Sequence, residues 1–306
     1  MNWLAFSSIA YFILALVVIL DKFLLSSKKI SHPVIYAFYS GILSSFAILF
    51  LFPFGWHRIG ILYLCFAILA GVIFLYGLLA LFYSMKKGEA TRVTMVVGAV
   101  IPIVTYLLSI IVLQENLPSM KIFGVAGLIA GGVLISLELG KGKQGNFFSG
   151  FYEAVLAGIL LALAYTLLKK FYEGDNFINV FVWTRLGVFV GALSFLTIPV
   201  WRKAILNSIA KFKKPNHDNK RSGLLFVFNK ALGGIGSIIL NYSFSLGNVT
   251  VINALISIEY TFVFLLGIGF TFWQPKIFME KMDKRSLAQK IAAIIIVAAG
   301  VIFVSI

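Results

Sequence analysis

Apolar runs long enough to cross a bilayer follow one another through almost all of the 306-residue chain, at 3–25, 33–54, 60–85, 93–113, 121–139, 149–168, 177–200, 223–245, 249–273 and 287–306. A hydrocarbon core about 30 Å thick needs roughly 20 apolar residues per helix, so each run predicts one crossing. The runs are continuous and lack the polar/apolar alternation of barrel strands. In lipid a helix satisfies its own backbone, whereas an open sheet does not. No connection exceeds 22 residues, well below the roughly 50 that an independent soluble domain requires. The expected fold is therefore an all-α integral membrane protein with ten transmembrane helices. Hydrophobic residues make up 60% of the chain, against roughly 45–50% in soluble globular domains.

The first run lacks the basic start and small-residue cleavage site of a signal peptide and leads directly into Asp21-Lys22, so it reads as a retained helix. The single cysteine, Cys65, lies inside the third run, which leaves neither a disulfide nor a thiolate metal site to expect. His32, His57 and His217 sit at run ends or in connections without metal-ligand spacing. No nucleotide-binding loop, nucleophile elbow or paired-carboxylate site appears. The reading is thus of a non-enzyme with no cofactor and no metal.

A net charge of +15 invites a nucleic-acid interpretation, but its distribution points to a membrane. The connections after runs 1, 3, 5, 7 and 9, with the run ends beside them, hold 20 of the 26 Lys and Arg. Those after runs 2, 4, 6 and 8 hold only Arg58, Lys121, Lys169 and Lys170. By the positive-inside bias the odd-numbered connections face the cytoplasm and both termini lie outside the cell membrane. The longest connection, 201–222, contains KFKKPNHDNKR and is expected to be a solvated loop near anionic lipid heads. The partners implied are a bilayer and a small-molecule substrate, and no nucleic acid.

The chain also repeats itself. SMKKGEATRVTMVVGAVIPIVTYLLS, from Ser84, is echoed by SLGNVTVINALISIEYTFVFLLG, from Ser245, with Gly88 over Gly247 and Thr91 over Thr250. Each copy is followed by a last helix rich in small residues, GVAGLIAGGVLISLE and AAIIIVAAGVIFVSI. A five-helix unit crosses an odd number of times, so its second copy enters the membrane upside down. Inverted repeats are a common transporter architecture, with the substrate site at the midplane between halves. The order GEATRV, a span holding Pro102, Gln114-Glu115-Asn116-Leu117 and a glycine-rich helix resembles the EamA domain, the repeat unit of the drug/metabolite transporter superfamily. GNVTVI, Ile258-Glu259-Tyr260 and Trp273-Gln274-Pro275 resemble a second copy, giving units at 1–142 and 143–306. The resemblance implies a ten-helix metabolite exporter or importer with a central cavity, and both termini in the cytoplasm, against the charge count. The chain departs from the pattern at Gln274, which stands where the first unit has Glu115, and in the basic segment PKIFMEKMDKRSLAQK before the last helix. The resemblance also implies an arginine early in the second helix of each unit. Arg185 fills that place in the second and Tyr39 stands there in the first.

Ionisable groups at membrane depth are costly and point to function. Arg185, Lys230 and Glu259 lie about nine, eight and eleven residues into their runs, roughly 12–16 Å from their own surfaces at 1.5 Å rise per residue. Each alone in lipid would cost several kcal/mol, so the three are expected to converge. They form either a structural bridge between spans 7, 8 and 9 or a substrate site with one surplus positive charge. The second reading favours an anionic group on the substrate, held by Arg185 and Lys230, with Glu259, paired to Lys230, as competitor or coupling-proton carrier. Tyr39 and Tyr76 lie deep enough to complete a cavity, and Pro102 removes a backbone hydrogen bond where a kink would help. Asn253 reads as polar glue between helices, Asp21 as a solvated partner of Lys22, and Gly233-Gly234-x-Gly236 as a packing face. The expected function is secondary transport of a small polar metabolite by alternating access. A flippase for lipids or lipid-linked sugars on the same helices, and a non-transporting scaffold whose charged trio only braces it, are the alternatives.

Overall fold

The computed structural model describes residues 2–26, 32–50, 57, 59–113, 118–136, 147–212, 217–273 and 283–305, and within them the chain is helical. In chain order the helices are α1 (Asn2–Ser26), α2 (Pro33–Leu43, continued by 3-10 turns over Ser44–Phe50), α3 (Ile61–Lys87) and α4 (Ala90–Leu108, with a π-helical end over Ser109–Leu113). Then follow α5 (Ser119–Ser136), α6 (Phe151–Tyr172), α7 (Phe177–Ser194), α8 (Pro199–Phe212) and α9 (His217–Leu246). The chain ends with α10 (Val249–Ala254), α11 (Ser257–Trp273) and α12 (Lys284–Ser305). Among the described residues six helices, Trp3–Ser26, Ile61–Lys87, Ala90–Val112, Phe151–Tyr172, Phe177–Thr197 and Ser222–Leu246, are long and apolar enough to cross a membrane, and Pro33–Leu49 and Ile258–Phe272 are shorter apolar helices. α5 and α12 occupy the fifth and tenth apolar runs.

Local chemistry sets several boundaries. Pro33 opens α2, where its fixed φ suits a first turn and its missing N–H is no loss. The side chain of Asn176 accepts from the Ile178 N–H at 3.0 Å and caps the start of α7. The Gly88-Glu89 pair is extended and separates α3 from α4.

One expectation is corrected here. The stretch from Trp201 is not a solvated loop: α8 runs to Phe212 with Ile205 fully buried, and α9 is already helical at His217. The exposed Arg202 and Lys203 disguise an amphipathic helix that buries one apolar edge. Pro102 lies inside α4, which continues past it to Leu108. The ninth span is broken, with α10 ending at Ala254 and α11 starting at Ser257. The Leu255 and Ile256 N–H groups turn back to the carbonyls of Ile252 and Asn253 across the break.

Packing follows the small residues. α1 lies along α9, α3 packs on α6 and α7, α4 on α5 and α6, α11 on α1 and α4, and α5 on α12. The α3–α7 contact is the tightest kind. A Cβ on Gly71 would meet the Thr184 carbonyl at 2.1 Å, and one on Gly187 the Ile68 carbonyl at 2.4 Å, so only glycine lets these backbones approach. Two lysines play matching parts at opposite ends of the bundle. Lys22 of α1 donates to the carbonyls of Met85 and Gly88, 2.7 and 2.6 Å, at the end of α3. Lys169 of α6 donates to the Phe244 carbonyl, 3.3 Å, near the end of α9. Cations suit the negative end of a helix dipole.

Candidate functional site

The bundle encloses a cavity of about 830 Å³ whose wall is drawn from α1, α2, α3, α4, α6, α7, α9 and α11. Most of that wall is apolar, with Phe74, Leu78, Val97, Ile101, Phe181 and Ile238 among its residues. Its polar groups are few: Asp21, Ser40, Ser44, Thr94, Tyr165, Arg185, Lys230, Ser237 and Glu259. A mostly hydrophobic chamber with a handful of placed polar groups is the usual form of a small-molecule site.

The charges in it fall into two kinds. At one end, where Asp21 of α1, Tyr36 of α2 and Asn229 and Lys230 of α9 meet, the charges are paired, and only Asn229 Oδ1 lacks a hydrogen-bond partner among the described residues. The Asp21 carboxylate accepts from Lys230 Nζ at 2.8 Å, from Asn229 Nδ2 at 2.5 Å, and from the Tyr36 hydroxyl. Lys230 also lies over the rings of Tyr36, Phe82 and Phe226, 4.4, 5.1 and 5.7 Å from their centroids. Beside this network a second one joins α4 to α12, in which the Glu89 carboxylate takes Lys290 Nζ at 2.7 Å and Arg92 Nε at 3.4 Å. We call this the basic end of the bundle, since Lys86, Lys87, Arg202 and Lys203 lie on the helices that meet there.

Deeper in the cavity the charges have no counter-ion. Arg185 donates from Nη2 to Ser237 Oγ at 2.7 Å and sits over the rings of Phe181 and Phe74, at 4.7 and 5.1 Å. Its Nε is buried without a hydrogen-bond partner, and among the described residues no carboxylate pairs with it. Glu259 stands in the first turn of α11, next to the break in the ninth span. That position favours a carboxylate, and a discontinuous helix at membrane depth is a recurrent mark of a transporter site. Among the described residues no cation pairs with Glu259. Tyr11, Tyr165 and Tyr260 lie within its electrostatic reach, and Tyr165 is within reach of Arg185 as well.

Against the sequence expectations, Arg185, Lys230 and Glu259 do line one cavity. They do not form a paired trio: Lys230 pairs with Asp21 and not with Glu259. The physical reason is that α1 lies along α9, which sets Asp21 beside Lys230, whereas Glu259 sits on α11. Asp21 is correspondingly no solvated partner of Lys22, being 5% exposed. Counting Asp21, the ionised cavity is neutral rather than surplus positive. Tyr39 and Tyr76 lie off the cavity wall. The Tyr39 hydroxyl bonds Ser208 of α8 and that of Tyr76 bonds Ser194 of α7, each at 3.0 Å, so each closes an interhelical seam. Asn253 acts between helices as expected, donating to Thr105 Oγ1 at 3.2 Å. Gly234 does not pack: no atom lies within 4 Å of a Cβ built there, and it faces the cavity. Glu115, Gln274, Pro275 and the basic segment after them to residue 282 lie outside the described residues. Asp21, Asn229, Tyr165 and Ser237 were not singled out as site residues by the sequence. Only Asp21 carried a signal, an acid five residues inside the end of a transmembrane helix.

The EamA-like transporter family matches residues 1–137. No curated protein matches the chain. Among 26 matching solved chains, one described as "Crystal structure of protein" is 16% identical, with a TM-score of 0.57, over 96% of this chain and 95% of its own. At that identity the likeness shows the fold alone.

Proposed function

Because the chain carries an EamA-like transporter unit over its first 137 residues, we propose that it is a secondary carrier moving a small organic anion across the cell membrane by alternating access. The observation that carries this is a chamber at membrane depth in which Arg185 and Glu259 both lack counter-ions among the described residues. An uncompensated charge in lipid is costly, and a substrate or a proton is the natural means of compensating it.

The two moving parts are inverted five-helix units, 1–142 and 143–306, which would make ten crossings. Packing supports this. If α1 corresponds to α6, α3 to α9, and α4 to the ninth span, then α1 on α9 mirrors α6 on α3, and α11 on α1 mirrors α4 on α6. The Lys22 and Lys169 bonds to the ends of α3 and α9 are equivalent under the same exchange.

In the mechanism Arg185 holds the anionic group of the substrate, with Ser237 orienting its guanidinium. With Asp21, Lys230, Arg185 and Glu259 all ionised the cavity has no net charge, and a proton on Glu259 leaves one positive charge. Protonation of Glu259 therefore favours the anion, and anion and proton travel together as a neutral load. The Asp21–Tyr36–Asn229–Lys230 network ties α1, α2 and α9 at the basic end and keeps that end shut. A load moves the equilibrium only through different affinity for the two states, so the network and the loaded cavity must be energetically linked. The test is counterflow of radiolabelled organic anions in proteoliposomes under an imposed pH gradient. Uptake should follow the proton gradient in wild type and be lost in Arg185→Met. Equal uptake by wild type and Arg185→Met would end the reading.

A further inference from the structure

The carrier reading leaves open what the rest of the substrate looks like, and the cavity wall speaks to that. On one side of the chamber run Leu43, Phe46, Ala47 and Leu49 of the second span, and on the other Val227, Ala231, Gly234, Ile235 and Ile238 of α9. The two helices touch at the basic end, where Tyr36 and Tyr39 stand edge-on to Phe226 at 4.9 and 6.4 Å between centroids. Beyond that point they form no extensive packed interface. By contrast α3 and α7, at the other side of the chamber, are pressed backbone to backbone at Gly71 and Gly187.

The edges of the gap are exposed and apolar. Phe46 is 62% exposed and Leu49 61%, with Val227 and Ile235 at 50 and 51%, although all four also line the cavity. Ile235 is near the middle of its span, where the surrounding medium is hydrocarbon. A portal meant for water-soluble solutes would carry polar groups at its rim. This rim would be wetted by acyl chains, and Gly234 keeps the α9 side free of bulk. Inside the gap the apolar wall continues over Ile238, Leu78, Phe74 and Phe181 to the Arg185 guanidinium, whose buried Nε is unpartnered. Ser44 and Ser237 contribute hydroxyls there, Ser44 donating to the Arg185 carbonyl at 3.0 Å.

We infer that the substrate of this chamber is a membrane-borne amphiphile, a lipid with a phosphate or carboxylate head and a hydrocarbon tail, which enters sideways between α2 and α9 and places its head at Arg185. The inference rests on the carrier reading for its direction of movement but not for binding. Charge complementarity selects the head, and the uninterrupted apolar path from rim to Arg185 selects a tail that stays partly in the bilayer. A chamber of about 830 Å³ is within the size range that encloses a body of drug size, and a bare inorganic anion would leave most of its wall unfilled.

The test uses the whole protein, purified in a mild detergent and examined by native mass spectrometry with four probes. These are dioleoyl phosphatidate, oleate, dioleoylglycerol (tails without the charge) and glycerol 3-phosphate (head without the tails). Phosphatidate or oleate should bind roughly tenfold more tightly than dioleoylglycerol, as expected for a charged hydrogen bond gained at Arg185, and more tightly than glycerol 3-phosphate, through the apolar area of the tail that the chamber buries. Arg185→Gln should erase that preference, and so should Gly234→Trp, which fills the rim where no neighbour obstructs it. Should Arg185→Gln fail to fold, Gly234→Trp and Ser237→Ala, judged by unchanged unfolding temperature, carry the test alone. A preference that survives Arg185→Gln means annular lipid and overturns the inference. So does binding of glycerol 3-phosphate as strong as that of phosphatidate, or failure of both charged lipids. Transbilayer movement of fluorescent phosphatidate in proteoliposomes separates the two claims. Binding at Arg185 without movement defeats the carrier and leaves the amphiphile site standing, whereas carriage of glycerol 3-phosphate alone does the reverse.

Discussion

At the basic end of the bundle Asp21 accepts from a lysine, an asparagine and a tyrosine at once, while farther into the cavity Arg185 and Glu259 share a chamber and pair with no opposite charge among the described residues. The same helices carry both arrangements, since Lys230 and Ser237 are two turns apart on α9. The difference lies in what each arrangement leaves undone. A buried charge that already has its counter-ion has no further need of a charged ligand and acts as a fastening between α1, α2 and α9. A buried charge held only by a serine and two aromatic rings is tolerated when something else completes it in the working cycle. Charge at membrane depth is therefore informative in proportion to how poorly it is paired.

Breaking the fastening gives the largest expected effect. Lys230→Met leaves the Asp21 carboxylate buried without its cation, and removal of one partner of such a pair costs about 3–5 kcal/mol. The thermal unfolding midpoint in detergent should fall steeply. Asp21→Asn combined with Lys230→Met should recover most of the loss, and a single variant as stable as wild type would show that the network holds nothing. Arg185→Met should behave in the opposite way. Folding stability should hold or rise slightly, because an uncompensated charge is removed, while affinity for an anionic ligand should drop by about 2 kcal/mol, roughly thirtyfold. Loss of both stability and affinity would place Arg185 with the fastenings. Next comes Glu259→Gln, nearly isosteric and without a counter-ion to strand, whose unfolding midpoint should shift by the equivalent of about 1 kcal/mol or less. Its counterflow should lose its dependence on pH, and an unchanged pH profile would exclude Glu259 as the proton carrier.

These contrasts were only half legible in the sequence. Long apolar runs announce helices because a bilayer allows little else, and a cation in the middle of one, as at Arg185 or Lys230, stands out against it. Pairing is another matter. Asp21 lies beside Lys22 near the end of a run, and its depth is set by α2 and α9 covering the end of α1, which no local pattern records. The break between Ala254 and Ser257 carries neither glycine nor proline, so turn chemistry gave no warning. The helix α8 is hidden by Arg202 and Lys203, which are exposed while Ile205 packs inward. Tyr39 and Tyr76 were placed at a suitable depth, but in helices apolar on every side the sequence does not say which face turns to the cavity.

Those two tyrosines supply the smallest effect and the sharpest check on the distinction between fastening and site. Each hydroxyl meets a serine at 3.0 Å, Ser208 on α8 and Ser194 on α7, and each ring keeps aromatic neighbours whether or not the oxygen is present: Phe38 and Phe226 for Tyr39, Phe195 and Trp201 for Tyr76. Tyr39→Phe and Tyr76→Phe should therefore each lower stability by about 1 kcal/mol, the net worth of one neutral hydrogen bond. The two losses should add, since the residues share no partner. Ligand affinity and the pH profile of exchange should stay at wild-type values in both single variants and in the double variant. A fall in affinity without a matching fall in stability would mean that one of these hydroxyls turns from its serine to the substrate when the cavity is loaded, and the cavity wall would then have to be redrawn to include it.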